Sequence, residues 1–404
     1  MPKFKSESRL LYFNALFDLN LGEHKTERLK RATDEMSLLF LPFGRENDSV
    51  IIKVGIEDHY LDYLKECGLT VPQIANKKTI TGEKTIGEPW GWDKDAVATF
   101  SSMGALRAGP SLESVKMVNS RSFCNALSLD LNCGVPGSKF ISNYVQFQNL
   151  IKRGAQNFPA VIKPAFGSSG YGFVHLKTPV INKELSLRLE KMINKGGAII
   201  EPWYRRVADI SSTFEIDSAG AVIRKNHYQC SVNSKGTFSG VYLPPQGYEC
   251  YEEYELQLSE IVDKVSSRLF NAGYFGPAGI DSFIYKRDDD EEQLAAVIEI
   301  NARHVISDIA RSIQEKVASH KHCFFRLASS KKVILPENYP ELIKKLGQLS
   351  YSPVNKKGVI VITPLRVGTK NMIQPFRSAF FLCADSKDDL FRLDSKVIKL
   401  LSRA

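Results

Sequence analysis

Residues 161–176 read VIKPAFGSSGYGFVHL. Lys163 stands ahead of Gly167, Ser168, Ser169, Gly170 and Gly172, and strand-forming Phe173-Val174-His175-Leu176 follows. Glycines let backbone N–H groups approach phosphate oxygens, serines add hydroxyl donors, and lysine supplies a compact positive charge. In a Walker-type loop the lysine follows the glycines and a helix begins at once. Here the loop joins two strands, which predicts a hairpin flap over a triphosphate; a surface hairpin that binds nothing would have the same glycines. Asp281 and Glu299-Ile300-Asn301 form a second group. The strand period of two puts Glu299 and Asn301 on one face, and antiparallel pairing would bring Asp281 beside them. Two carboxylates and an amide oxygen suit Mg²⁺ bridging nucleotide phosphates. Singly, Asp281 could cap a turn and Glu299 could be a solvated edge residue. A third group is Ile199-Ile200-Glu201-Pro202-Trp203-Tyr204, a strand broken at a proline, with Asp209 following. The break frees backbone groups to read an adenine edge, and Asp209 is within reach of a ribose hydroxyl; aromatic packing at a strand end is the plain alternative.

These residues need sheets to hold them. Residues 37–41 and 50–54 are short apolar runs bounded by Pro42, Gly44 and Gly55, as buried strands would be. Residues 57–67 carry helical spacing, and Asp93 is placed to cap a helix from Lys94. Residues 111–131 read mainly helical. From about 139 the rhythm predicts a helix near 145–153, a strand at 160–165, the flap, a second strand, a helix near 183–194 and a strand at 198–201. Alternating runs follow over 211–242, then an amphipathic helix over 251–272 with Leu258, Ile261, Val262, Val265, Leu269 and Phe270. Strands at 278–285 and 294–300 flank an acidic run at 286–292, read as a solvated hairpin tip and not as a metal site. The tail beyond about 330 holds one more strand-like run, 358–362, and reads as a small appended subdomain.

The chain of 404 residues is long enough for two or three compact units, and 43% hydrophobic with 25% charged residues is an ordinary globular composition. The net charge of +9 is scattered. It suits an anionic ligand, and nucleic acid is not expected as a partner. Seven cysteines at wide spacing, with no CxxC pair, indicate neither a disulfide framework nor a zinc ribbon. No segment approaches the roughly 20 apolar residues of a membrane span, so a cytoplasmic protein without a membrane partner is expected.

Lys-Pro, a glycine-rich hairpin, a strand ending in Glu-Pro-Trp-Tyr, an aspartate and then Glu-x-Asn-x-Arg occur in that order. This resembles the ATP-grasp superfamily over roughly 115–310, with 35–110 like its smaller preceding domain; the tail matches nothing. The resemblance implies a mixed α+β and α/β architecture in which two α+β subdomains grip ATP behind a small α/β domain. Its divisions would be 1–115 for the preceding domain, 116–205 for the linker and flap, 206–330 for the metal subdomain and 331–404 for a C-terminal extension. It implies Lys163 as the phosphate lysine and Gly167 to Gly172 as the flap. Glu201, Trp203 and Tyr204 would lie at the adenine hinge, with Asp209 near the ribose. Asp281, Glu299 and Asn301 would hold Mg²⁺ or Mn²⁺, and Arg121 is a looser match to a basic phosphate ligand. Arg303 matches the arginine of Glu-x-Asn-x-Arg and, with Lys163, would be catalytic. A further family lysine has three candidates, Arg224, Lys225 and Lys235. His304 and His227 are candidates for acid–base work or substrate contact. The activity implied is ATP-dependent joining of a carboxylate to an amine through an acyl phosphate, the substrates being small molecules such as amino acids or peptides. Phosphoryl transfer without an amine step and nucleotide binding without catalysis are the alternatives. A homodimer is compatible with all three.

Overall fold

The computed structural model describes residues 8–23, 29–75, 85–167, 170, 172–232, 236–287, 289–369 and 371–402, with Arg31 and Ala32 in backbone only. Three sheets carry the chain. The first is parallel, in the order Gln73–Ile74, Ser49–Ile51, Arg9–Tyr12, Ile86–Pro89, Leu106–Arg107. In its central strand Leu10 and Leu11 point to opposite faces and both are fully buried, as expected for a parallel sheet covered on both sides. Strand order reverses between Arg9–Tyr12 and Ile86–Pro89, and such a switch point opens a crevice at the strands' C-terminal ends. Trp90, Gly91 and Trp92 follow there. Asp93 caps the helix Lys94–Met103 by accepting from Ala96 N at 2.8 Å, as its position predicts.

The second sheet is antiparallel, in the order Lys139–Ile141, Ala198–Pro202, Ala160–Pro164, Val174–Leu176. The helices Tyr144–Lys152 and Lys183–Ile193, capped by Asn143 and Asn182, close its core around Phe147, Leu189 and Ile193. The third sheet has eight strands, in the order Glu292–Asn301, Gly276–Lys286, Arg205–Ile216, Val222–Val232, Phe238–Leu243, His322–Ser329, Arg377–Ala384, Gly358–Val361. The helix Glu252–Asn271 buries Leu258, Ile261, Val262, Val265 and Leu269, the stripe its spacing predicts.

Three expectations change. Residues 37–41 are helical, one 3₁₀ turn over Ser37–Leu39 running into Phe40–Phe43. An unbroken apolar run carries no period, so a buried helix and a buried strand look alike in it. Residues 111–131 are two helices, Leu112–Val118 and Arg121–Asp130, because Ser111 and Ser120 each cap a separate start. The tail does not stand apart. Arg377–Ala384 pairs with His322–Ser329 through eight register positions and is buried along nearly its whole length. No helix among the described residues is long and apolar enough to cross a membrane.

Candidate active site

Lys163 lies on the buried strand Ala160–Pro164, where Val161 opposes Glu201 and Lys163 opposes Ile199 on the neighbouring strand. Opposed residues share a face, so Lys163 and Glu201 are diagonal neighbours. Their side chains form an ion pair, Nζ to Oε1, with both residues buried. Glu201, expected at an adenine hinge, therefore faces Lys163. Beyond Pro164 the flap turns through Gly170 (φ 77°) and Gly172 (φ 84°), left-handed conformations that favour glycine. Gly167 begins this turn; Ser168 and Ser169 lie outside the described residues. The returning Phe173 presents its ring to both the Lys163 Nζ and the Arg121 guanidinium, each 5.5 Å from the centroid.

Arg121 is the first residue of its helix. The Ser120 cap turns the chain there, and Arg121 N donates to Ala165 O at 3.1 Å. Its side chain is buried and bridges two sheets, donating from Nη1 to Pro164 O at 2.5 Å and from Nη2 to Glu299 Oε1 at 2.6 Å. Cys124, close to this cluster, has its thiol pushed up to about 12, chiefly by burial. Neither Cys124 nor Phe173 is a residue type that marks an anion-binding cluster in a sequence.

Asp281 and Glu299 are opposed on the two strands of the hairpin, as the strand period predicts, and Asn301 Nδ2 donates to Asp281 Oδ2 at 3.3 Å. Burial and the neighbouring Glu299 carboxylate push Asp281 up to about 7. Two half-buried acids held together in this way fit a hard divalent cation, which would relieve their repulsion. Asn301 fits less directly. Its Oδ1 accepts from Arg303 Nη2 at 2.8 Å while its nitrogen faces Asp281, so here it links the arginine to the acids. Among the described residues no group of three or more His, Cys, Asp or Glu could hold a metal. The donors are two carboxylates, one of them already paired with Arg121.

Arg303 has a partner that spacing does not reveal. Its Nε and Nη2 donate to the two carboxylate oxygens of Asp18 at 2.9 and 3.0 Å, its Nη1 donates to His304 O at 2.9 Å, and the guanidinium lies 5.2 Å from the Trp90 ring centroid. His304 pairs with Glu88, Nε2 to Oε1, at 2.9 Å and faces Asp308 at 3.5 Å. Burial alone would lower its pKa, but the Asp308 and Glu88 carboxylates outweigh it and hold His304 up to about 9. It is an imidazolium near neutrality and no general base. His227 lies among Ser212, Ser259 and Glu255 of the helix Glu252–Asn271. Burial, and then the Lys225 cation, push it down to about 4, so it is a buried neutral imidazole near pH 7. Of the basic candidates, Arg224 pairs with Glu215 and Lys225 with Asp263, while Lys235 lies outside the described residues.

Trp203 and Asp209 meet through Arg206. Arg206 sits between the rings of Trp203 and Phe283, 4.8 and 4.4 Å from their centroids, and donates to Asp209 at 2.5 Å. Tyr204 packs on Tyr285 at 4.6 Å. A cavity of about 660 Å³ opens between residues of the parallel and the eight-stranded sheets. Glu88, Trp90, Arg224, Asn226, Arg303 and His304 are among the residues that line it.

No protein-family model matches the sequence, and no curated protein matches it. Solved structures match it over nearly its whole length. N5-carboxyaminoimidazole ribonucleotide synthetase from Thermus thermophilus is similar at TM-score 0.56 and 11% identity, over 98% of this chain and 99% of that one. The ADP complex of the Staphylococcus aureus N5-carboxyaminoimidazole synthetase gives 0.54 and 10%, over 98% of each chain. The β,γ-ATP complex of biotin carboxylase from Campylobacter jejuni gives 0.54 and 15%, over 98% of this chain and 91% of that one. This chain shares the fold of these proteins, the ATP-grasp fold.

Proposed function

We propose that this chain is an ATP-dependent ligase that activates a carboxylate as an acyl phosphate and joins it to an amine, releasing ADP and phosphate. The observation that carries the reading is Arg121. One side chain bonds both the end of the Lys163 strand and Glu299, so a phosphate-type lysine, a flap and a carboxylate pair meet at one point. The ATP and ADP complexes among the similar structures support the nucleotide, and the MgADP complex of a 2-oxoglutarate carboxylase domain supports Mg²⁺; Mn²⁺ would suit the same oxygen donors. The divisions 1–115, 116–205 and 206–330 belong to the same proposal, with 331–404 completing the eight-stranded sheet of the third rather than forming a separate extension.

In this reading Lys163, Arg121 and the flap amides hold the phosphates, and the Glu201–Tyr204 segment with Asp209 holds the nucleoside. Asp281 and Glu299 hold the cation, which offsets charge on the phosphate oxygens when bound. The substrate carboxylate attacks the γ-phosphorus as the bond to ADP breaks. The amine then adds to the acyl carbon, and the C–O bond to phosphate breaks as the amine loses a proton. Arg303 donates to the oxyanion of the tetrahedral intermediate. A closed flap keeps water from the acyl phosphate. The carboxylate and amine, an amino acid or peptide in class, would enter through the 660 Å³ cavity that Arg303 lines.

The test is phosphate release with ATP, Mg²⁺ and pooled amino acids and carboxylates. Turnover should need the pool, and Glu299→Gln should abolish it while nucleotide still binds. Absence of both a calorimetric heat and a melting shift at saturating MgATP would overturn the reading.

A further inference from the structure

A guanidinium has five N–H donors in a planar fork. Those of Arg303 are nearly all committed. Nε and one Nη2 hydrogen go to the two oxygens of Asp18, the other Nη2 hydrogen to Asn301 Oδ1, and one Nη1 hydrogen to His304 O. One Nη1 hydrogen is left over, on a side chain that lines the large cavity. The two-point grip that suits a carboxylate is thus taken by a carboxylate of the chain itself. Asp18 is buried on the short helix Phe17–Leu21, and that helix is seated closely: a Cβ at Gly91 would meet the Phe17 ring at 2.7 Å. Trp90 lies against the guanidinium from the same side of the fold.

We propose that Asp18 is a positioning residue, which holds the Arg303 fork and leaves a single N–H for the substrate. This rests on the ligase reading above and says how the arginine is used within it. With its fork closed, Arg303 gives little to a ground-state carboxylate, which binds best at two points. One donor suffices for the single oxygen on which charge gathers in the tetrahedral intermediate. Contacts that strengthen only in the transition state raise the rate. The same fixture reaches the acids: Asp18 holds Arg303, Arg303 holds Asn301 Oδ1, and Asn301 thereby turns its nitrogen to Asp281.

Two measurements test it. The first is tryptophan emission titrated with sodium acetate against sodium chloride at equal ionic strength, with Trp90→Phe assigning the signal. Asp18→Ala should change the emission, and acetate should restore it saturably by refilling the fork. The wild type should ignore acetate, and Asp18→Ala with Arg303→Lys should not be rescued. If Asp18→Ala does not fold, Asp18→Ser takes the same titration. The second uses phosphate release with the amino-acid pool. Asp18→Asn should lower the saturated rate at least about tenfold while the half-saturating pool concentration stays level or falls, and Asp18→Glu should recover part of the rate. Acetate moving the wild type as far as the variant, or leaving the variant unmoved, would overturn the proposal. So would an Asp18→Asn chain that melts earlier with unchanged kinetics. MgATP calorimetry separates the failures: no binding sinks the ligase reading, whereas binding with an acetate-indifferent Asp18 variant sinks the role of Asp18 alone.

Discussion

Lys163 and Glu201 are both buried, and each is the other's counter-charge. Lys163→Ala therefore strands a buried carboxylate and, on the proposed ligase reading, also removes a phosphate contact. Breaking a buried pair from one side costs about 3–5 kcal/mol of stability, whereas a charge-assisted contact to phosphate is worth roughly 1.5–3 kcal/mol of binding. The expected result is an early-melting protein with weak MgATP binding. In Lys163→Met with Glu201→Gln, melting should recover most of the way while calorimetry still shows the binding loss. If the double variant melts as early as the single one, the pair is not what holds this strand. His304 gives a pH signature with a definite sign. Its pKa is raised to about 9, so its contribution is complete below about 6.5 and is lost as pH rises through 9. Glu88 is held down to about 2, where the His304 and Arg9 cations outweigh burial, so its contribution is present above about 4.5 and fades toward pH 2. Lys316, pushed down to about 8 by burial and then by Arg9, opposes the alkaline trend. The clean measurement is thus a difference. Between pH 7 and 9.5, urea unfolding of the wild type should lose up to about 3 kcal/mol relative to His304→Gln. Parallel curves would mean that Glu88 and Asp308 do not hold the proton.

Some elements of this fold are written in local sequence patterns and others are not, for separate physical causes. The helix Glu252–Asn271 was legible through its period of 3.6, and the strands Ala160–Pro164, Gly276–Lys286 and Glu292–Asn301 through short apolar runs bounded by glycine, proline or charged turns. The opposition of Asp281 and Glu299 needed antiparallel pairing of the two runs as well as the strand period of two. Residues 37–41 were not legible, since continuous burial erases periodicity, and the run reads equally as strand or helix. The break inside 111–131 had a local signal in Ser120, passed over because helical spacing continues on either side of it. Close strand packing makes a prediction at this scale. Gly240 has no side chain because a Cβ there would lie 2.5 Å from the Phe324 ring and 2.7 Å from Phe325 O. The second of these atoms is backbone and cannot rotate away. Gly240→Ala should push Phe238–Leu243 from His322–Ser329 and cost about 1–3 kcal/mol by overpacking. Chemical denaturation would read it, and an unchanged midpoint would show that the two strands part without penalty.

Over the whole molecule, the contacts that matter most join residues hundreds of positions apart, and no pattern in one sequence announces them. Asp18 meets Arg303, Glu88 meets His304, and Ser312 donates to Phe43 O at 3.1 Å. The tail is bound to the start of the chain in the same way. Glu57 accepts from Tyr339 Oη at 2.9 Å and from Leu365 N at 2.5 Å, Tyr60 donates to Ile362 O at 2.5 Å, and Val361 N donates to Tyr63 Oη at 3.0 Å. The rings of Tyr63 and Tyr339 stack at 4.5 Å. A small appended subdomain could be cut away at little cost, but this tail supplies two strands to the largest sheet and the partners of a buried helix face. Ending the chain after Ser330 would expose His322–Ser329 as an open edge and strand Tyr60, Tyr63 and Glu57 without their partners. The expected outcome is loss of cooperative unfolding, with aggregation, rather than a trimmed and active protein. Circular dichroism melts and size-exclusion elution of the truncated chain, with and without MgATP, would decide it. A sharp transition and a MgATP-dependent rise in melting temperature for residues 1–330 would show that the parallel sheet and the nucleotide cleft stand without the tail.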